Sequence, residues 1–307
     1  MNKKILLYYK YIPVPNPEEI KSWQQTLCSQ LKLTGRIILA TEGINGTLYG
    51  TPEATDAYIQ AMNNHPLFNN IDFKDSLVNG HYEYFTGLQI VVKKEVVNLG
   101  INPEQLTTQN TGKHLTPQQA HELLSQKPEN LVILDGRNYF EARVGAFTGA
   151  ITPEINNFRE FPEYIDQNLE LFKDKEVLMY CTGGIRCERA SAYLNQKNIA
   201  KKVYQIEGGI HRYVEQYPDG YFRGKNYLFD ARITVKVNND IIGACDICTT
   251  SCDEYTNCRN AKCNKHFIGC SACIEKFRNC CSAECMNLVQ TKQVPERPYR
   301  PKVDASI

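Results

Sequence analysis

The sequence predicts a multidomain α/β protein built from an α+β sandwich, a domain with a parallel sheet and a cysteine-rich module. Three observations lead to this prediction. The 307 residues exceed what one hydrophobic core usually organises. Strand-like and helix-like segments alternate in two different orders along the first two thirds of the chain. Ten of the 13 cysteines fall between Cys245 and Cys285, which marks a separate unit.

Residues 1–100 are predicted to fold in the order β-α-β-β-α-β. The segments are KILLYYKYI, PEEIKSWQQTLCSQL, GRIILATEGINGTLYG, ATDAYIQAMNN, IDFKDSL and LQIVVKKEVV. This order is that of a ferredoxin-like sandwich, with EGING supplying the turn between the two middle strands. Such a sheet binds RNA or protein in some molecules and only packs against a neighbour in others, and the pattern leaves both possibilities open.

Residues 101–114 are polar and contain Pro and Gly, which is typical of a linker. A second domain is predicted over residues 115–222. Thr116 and Pro117 suit the first positions of a helix, and the apolar runs LVILD and EVLMYC then alternate with helical segments. This alternation indicates a parallel sheet, in which functional residues gather at the carboxyl ends of the strands.

Residues 223–290 combine an extended segment, FRGKNYLFDARITVKVN, with the cysteine-rich module, and the polar, Pro-rich residues 291–307 are expected to be disordered. No stretch is apolar enough to cross a bilayer, and the amino terminus lacks a cleavage site for export. We therefore expect a cytoplasmic protein that does not bind membranes. The net charge of +1 means that any contact with nucleic acid depends on a local basic patch.

The loop Cys181-Thr182-Gly183-Gly184-Ile185-Arg186 has the composition of a reactive site. Cys181 directly follows a predicted buried strand, and the two glycines precede a helix. Glycines let successive N–H groups turn inward as an anion-binding nest, and the helix start and an arginine add positive charge. A thiol in this position is expected to ionise readily, which makes Cys181 the predicted nucleophile rather than a structural core cysteine.

The segment CTGGIRCE, with LDGRNYFEARVGAFTGAI before it and EGGIHRY after it, resembles the active-site region of the rhodanese fold. Together with EGINGT, FREFP and FDARITV, it resembles the rhodanese-like tRNA uridine hydroxylases over residues 1 to 285. The resemblance implies an oxidoreductase that uses molecular oxygen to convert the wobble uridine, position 34 of the tRNA anticodon, to 5-hydroxyuridine. It also implies that the loop cysteine, Cys181, is essential; no organic cofactor is evident.

Three further residues are predicted to support the loop. Asp135 and Arg137 match the Asp-x-Arg element that lies beside the loop in rhodaneses, and Asp135 is expected either to pair with an arginine or to be solvated. Gly136 replaces the bulkier residue expected between them, which could loosen the turn. Cys187 either resolves an oxidised or persulfide state of Cys181 or packs as a small residue, and both interpretations stay open.

Two CxxC pairs, Cys245 with Cys248 and Cys270 with Cys273, predict a structural zinc site of the ribbon or knuckle type. Further candidate ligands, for a second site, are Cys252, Cys258, Cys263, His266, Cys280, Cys281 and Cys285. An iron–sulfur cluster and a thiol-rich segment without metal are the alternatives.

Other functions are compatible with parts of the sequence. A sulfurtransferase would carry a persulfide on Cys181. A non-catalytic RNA-binding or zinc adaptor would use a basic stretch that comprises Arg223, Lys225, Arg232 and Lys236. A facial iron triad of His81 and Glu83 with His114 or His121 is disfavoured, because solvated side chains explain the spacing equally well.

Overall fold

The computed structural model describes residues 2–79 and 84–298. The chain forms two compact units, one from residues 1–138 and 149–217 and the other from residues 139–148 and 218–307. None of the helices in the described part of the chain combines the length and the apolar character that crossing a bilayer requires.

The first part of unit one is the predicted ferredoxin-like sandwich. Its elements are β1 (Asn2–Tyr11), α1 (Pro17–Gln30), β2 (Thr34–Ala40), β3 (Gly43–Gly50), α2 (Pro52–Asn64), β4 (Lys74–Asn79) and β5 (Leu88–Val92). The strand order is β4-β1-β3-β2-β5; the first four strands are antiparallel, and β5 adds a strand parallel to β2. The predicted fold is confirmed, and β5 extends it.

Local sequence explains where the two helices of the sandwich begin. The side chain of Asn16 accepts a hydrogen bond from the amide of Glu19, and the side chain of Thr51 accepts one from the amide of Ala54. A proline follows each cap, where a missing amide hydrogen costs nothing. Both helices bury apolar residues against one face of the sheet, with Tyr8 of β1 fully buried among them.

The second part of unit one is a parallel sheet with the order β6-β10-β9-β7. Its elements are β6 (Lys113–Leu115), α3 (Pro117–Gln126), β7 (Leu131–Asp135), α5 (Phe161–Gln167), β9 (Glu176–Tyr180), α6 (Ile185–Lys197), β10 (Lys202–Ile206) and α7 (Gly209–Gln216). The edge strand begins inside the predicted linker, because Lys113 and His114 pair with β10 as part of β6.

Unit two contains α4 (Tyr139–Ala142), β8 (Gly145–Phe147), β11 (Phe222–Tyr227), β12 (Thr234–Lys236), β13 (Tyr255–Asn257), β14 (His266–Ile268), α8 (Ser271–Lys276) and α9 (Ala283–Gln290). Its larger sheet has the order β12-β11-β8. Residues 139–148, which fall inside the range predicted for the central domain, belong to this unit because β8 pairs antiparallel with β11.

The segment expected to be a disordered tail begins with ordered structure. Asn260 and Glu296 form an isolated β-bridge, and Arg259 Nη2 lies 2.8 Å from Glu296 Oε1. Residues 299–307 lie outside the described part of the chain.

Candidate active site and metal centre

Cys181 lies immediately after the buried strand β9, and α6 begins four residues later at Ile185. The turn between them depends on Gly184, whose φ of +103° favours glycine. The amide of Gly184 donates a hydrogen bond to Cys181 Sγ at 3.2 Å, and the amides of Arg186 and Cys187 also donate to this sulfur. Amides at the start of a helix therefore surround the thiol, as predicted from the glycine pair.

The loop favours the ionised form of Cys181. Burial alone raises the pKa of this thiol. A hydrogen bond from the Cys187 thiol, the positive charge of Arg186 and the loop amides outweigh burial, and they lower the pKa to about 6. Burial raises the pKa of Cys187 well above its ordinary value, and the neighbouring Cys181 raises it further. Cys187 therefore stays protonated and can act as the donor.

The start of α7 fixes the loop from the other side. The amide of Ile210 donates to the carbonyl of Cys181 at 2.9 Å, and the amide of His211 donates to the carbonyl of Thr182 at 3.1 Å. A Cβ atom on Gly209, which has a φ of +64°, would lie 2.3 Å from the carbonyl oxygen of Cys181. The glycines of EGGI therefore let α7 approach closely enough to hold two loop carbonyls. Sequence reasoning did not assign this role.

Asp135 and Arg137 form a fully buried ion pair beside the loop. Arg137 Nε lies 2.9 Å from Asp135 Oδ1, and Arg137 Nη2 lies 2.6 Å from Asp135 Oδ2. The hydroxyl of Tyr180 donates to Asp135 Oδ2 at 2.8 Å. The predicted pairing with an arginine is therefore present, and the alternative of a solvated carboxylate does not hold.

Gly136 does not loosen the turn between these two residues. Its amide donates to the carbonyl of Tyr180 at 2.8 Å, which ties the turn to the end of β9. A Cβ atom at this position would lie 3.3 Å from that carbonyl oxygen and 3.7 Å from Cys187 Sγ. Because Gly136 has no side chain, the Cys187 sulfur can lie close to the backbone of this turn.

Two side chains of β1 cover the loop. A Cβ atom on Gly183 would lie 3.3 Å from Leu7 Cδ2, and one on Gly184 would lie 2.6 Å from the hydroxyl oxygen of Tyr9. Cys181 has no exposed surface. The sandwich, for which the sequence left two roles open, therefore packs its first strand onto the reactive loop within unit one.

Glu188, in the first turn of α6, connects this cover to the edge of the parallel sheet. Its carboxylate accepts hydrogen bonds from the hydroxyl of Tyr9 at 3.2 Å and from Gln205 Nε2 at 3.2 Å. His114 Nε2 lies 2.8 Å from the same carboxylate, and this hydrogen bond outweighs burial and raises the pKa of His114.

The facial iron triad gains no support from the described residues. His81 and Glu83 lie outside the described part of the chain. His114 is bonded to the buried glutamate just described, and His121 Nδ1 lies 2.9 Å from the hydroxyl of Tyr213. Both candidate third ligands therefore have other partners.

Arg189 of α6 joins the sandwich to the parallel-sheet domain. Its side chain is fully buried, and its Nη1 lies 3.2 Å from Glu42 Oε2 and 3.0 Å from Glu95 Oε2. Its Nη2 donates to the carbonyl of Ile101 at 2.6 Å. The EGINGT motif thus contributes Glu42 to a buried network in addition to a turn, which sequence reasoning missed.

In unit two the four cysteines of the predicted zinc site come together. The sulfur atoms of Cys245, Cys248, Cys270 and Cys273 all lie within 4.8 Å of one another. Cys248 Sγ and Cys270 Sγ are 3.6 Å apart. We call these residues the first thiol group. They can hold a metal ion.

Four of the further candidates form a second such group. The sulfur atoms of Cys258, Cys263, Cys281 and Cys285, which we call the second thiol group, also lie within 4.8 Å of one another. The remaining candidates, Cys252, Cys280 and His266, belong to neither group. The ring of His266 instead stacks on the ring of Tyr255 with centroids 4.3 Å apart.

The basic stretch that an RNA-binding adaptor would need is largely neutralised. Three of its four residues form ion pairs with aspartates: Arg223 with Asp240, Lys225 with Asp253, and Arg232 with Asp230. Arg232 is also buried. This stretch therefore does not form the open basic surface on which that alternative depends.

Comparison with known proteins covers nearly the whole chain. Family models match residues 3–96 (UPF0176 acylphosphatase like domain), 116–216 (rhodanese-like domain) and 223–286 (rhodanase C-terminal). Proteins named tRNA uridine(34) hydroxylase are similar in sequence. That of Acholeplasma laidlawii is 41% identical over 291 residues, which cover 92% of this chain and 89% of its own length. The protein of Cytophaga hutchinsonii is 40% identical over 300 residues, which cover 96% of this chain and 92% of its own length.

Proposed function

The chain belongs to the family of the tRNA uridine(34) hydroxylases, and we propose that it hydroxylates C5 of the wobble uridine of tRNA with molecular oxygen as co-substrate. In this reaction the C5–H bond of the base becomes C5–OH with one oxygen atom of O2, and a two-electron reductant converts the other oxygen atom to water, which makes the chain an oxidoreductase. Its partner is tRNA, contacted in the anticodon region because position 34 is an anticodon base. A tRNA substrate also favours a cytoplasmic location.

The observation that carries this proposal is the environment of Cys181. At neutral pH a thiol with a pKa of about 6 is roughly 90% ionised, whereas an ordinary cysteine is mostly protonated. We propose that Cys181 is the catalytic residue. The other loop residues, Thr182 to Arg186, supply the amides and the positive charge that face the sulfur. The buried pair of Asp135 and Arg137 supports the loop from one side.

The proposal is tested by mass spectrometry of nucleosides from tRNA. Deleting the gene should remove 5-hydroxyuridine and the nucleosides derived from it, and the wild-type gene should restore them. Cys181→Ala should not restore them, whereas Cys28→Ala should, because Cys28 is a buried thiol of the sandwich core away from the loop. An unchanged nucleoside profile in the deletion strain would refute the function. Full restoration by Cys181→Ala would refute the role of the cysteine.

Sulfur transfer is the second candidate, because the same ring of amides could stabilise a persulfide on Cys181. This function predicts that thiosulfate labels Cys181 with a sulfane sulfur, which a thiophilic acceptor such as cyanide then removes with turnover. Turnover of thiosulfate together with a normal 5-hydroxyuridine content in the deletion strain would favour it over hydroxylation.

We further propose that the first thiol group holds a structural zinc ion. A tetrahedral ion with metal–sulfur bonds of about 2.3 Å places its thiolates about 3.8 Å apart, and Cys248 and Cys270 are 3.6 Å apart. An iron–sulfur cluster would have to fit several atoms between the thiolates, and separations of at most 4.8 Å leave room for one ion. The ion would supply folding energy rather than chemistry. Elemental analysis of the purified chain distinguishes zinc from iron.

A further inference from the structure

The eight cysteines of the two thiol groups form four pairs along the chain: Cys245 with Cys248, Cys258 with Cys263, Cys270 with Cys273, and Cys281 with Cys285. The first and third pairs make up the first thiol group, and the second and fourth pairs make up the second. The groups therefore interleave in sequence. The chain passes between them three times, over residues 249–257, 264–269 and 274–280.

The second thiol group has the dimensions of a site for one tetrahedral ion. Cys263 Sγ lies 3.7 Å from Cys281 Sγ, which in turn lies 3.9 Å from Cys285 Sγ. These separations match the roughly 3.8 Å expected between thiolates on one zinc ion. They are far longer than the roughly 2 Å of a disulfide bond. Cys281 also has two sulfur neighbours at similar distances, which indicates a shared centre rather than a bonded pair.

Hydrogen-bond donors point at two sulfur atoms of the second thiol group. The side-chain amide of Asn260, a buried residue, donates to Cys285 Sγ at 3.4 Å, and the backbone amide of Cys281 donates to Cys258 Sγ at 3.5 Å. Asn260 is itself oriented, because its Oδ1 accepts a hydrogen bond from the amide of Cys263 at 3.2 Å. Donors directed at the ligands are the outer contacts that metal sites use to hold thiolates in place.

Few apolar residues are available to hold this part of the chain. Among the residues that the structure describes, the local cluster around the second thiol group buries only Cys258, Phe267 and Cys280, and its other apolar residues are partly exposed. A core of this size stabilises little structure by itself, and small modules of this kind depend on bound metal for their folding energy.

We propose that the module binds a second tetrahedral metal ion of the zinc class through Cys258, Cys263, Cys281 and Cys285, and that the two ions cross-brace the chain. Each ion closes loops that contain ligands of the other ion. Loss of one ion therefore frees the segments that position the other, and the two sites should release their metal interdependently. This inference does not depend on the catalytic proposal.

Metal counting on the full-length chain tests the proposal. Elemental analysis and native mass spectrometry should find two zinc ions per wild-type chain. The count should remain two in Cys252→Ser, because Cys252 is a buried cysteine of the same module that belongs to neither thiol group. A single ion in the wild-type chain would overturn the two-ion arrangement, and no variant is needed for that result.

The variant Cys285→Ser tests the cross-brace. It should lose the second ion, and its remaining ion should pass to a chelating dye faster than metal leaves the wild-type chain. In protein loaded with Co²⁺ instead of zinc, the thiolate-to-metal absorption per chain should fall to about half or less, in proportion to the lost site. Two retained ions, or one retained ion released no faster than from the wild type, would contradict the arrangement.

Discussion

Replacing Cys187 with alanine is expected to raise the pKa of the Cys181 thiol by about one unit. The loop lowers this pKa from an ordinary value of 9.0 to about 6 against the effect of burial, and the Cys187 thiol contributes one of the hydrogen bonds. A hydrogen bond to a charged group contributes about 1.5–3 kcal/mol, and the weak S–H donor belongs at the low end. One pKa unit corresponds to about 1.4 kcal/mol. The ionised fraction at pH 7 should fall from roughly 90% to roughly half.

Cys187→Ser is the matched variant, because serine keeps a donor of similar size but cannot form a disulfide. If Cys187 acts as a donor, the serine variant should keep a pKa and a hydroxylation rate near those of the wild type. If Cys187 resolves an oxidised state of Cys181, serine and alanine should both abolish turnover.

The assay is the rate at which iodoacetamide alkylates Cys181 as a function of pH, followed by mass spectrometry of the peptide that contains it. The opening step that exposes the buried thiol lowers the alkylation rate by the same factor at every pH. The midpoint of the pH profile therefore still reports the pKa of Cys181. Because the thiolate is the reactive form, hydroxylation by the wild type should also fall as the pH drops through about 6. Equal midpoints in the wild-type, alanine and serine proteins would refute the role of Cys187 as a donor.

Three further substitutions test the surroundings of the loop. Gly209→Ala should abolish activity, because its new Cβ atom would lie 2.3 Å from the carbonyl oxygen of Cys181 and would displace the loop. Gly149 has a similar φ of +76° but open space around it, so Gly149→Ala should lose only some stability. Equal activities of the two variants would contradict this reasoning. Arg137→Met leaves Asp135 buried without its ion pair, so urea unfolding should show a loss of about 3–5 kcal/mol, and a loss below 1 kcal/mol would be inconsistent with it. Arg189→Met leaves the partly buried carboxylates of Glu42 and Glu95 without their arginine partner and should destabilise the chain by up to a similar amount. Protease cleavage between the sandwich and the parallel sheet is a second measurement, and unchanged cleavage would argue against the link.

Local patterns predicted those parts of the fold that depend on local interactions. Thr116 caps a helix where the sequence predicts one, because a side-chain oxygen and a following proline act within one turn. The loop around Cys181 was also predictable, since its geometry depends on adjacent glycines and the start of the next helix.

Contacts between distant segments were not predictable in this way. Nothing near Leu7 or Tyr9 indicates that they cover a loop more than 170 residues later. Residues 139–148 belong to the second unit because β8 pairs with β11, and a single sequence does not reveal this pairing. The division of ten cysteines into two thiol groups likewise depends on how the chain folds back, since all ten have the same chemistry.

The burial of Cys181 beneath Leu7 and Tyr9 has a consequence for how the protein withstands oxidative stress. Thiolates are the sulfur species that peroxides attack first, and over-oxidation to sulfinic or sulfonic acid inactivates them permanently. Here the sulfur is anionic yet has no surface in contact with water. Small oxidants in the surrounding solution reach the sulfur only through the opening step that also limits its alkylation. The thiolate is thus shielded while the loop stays closed.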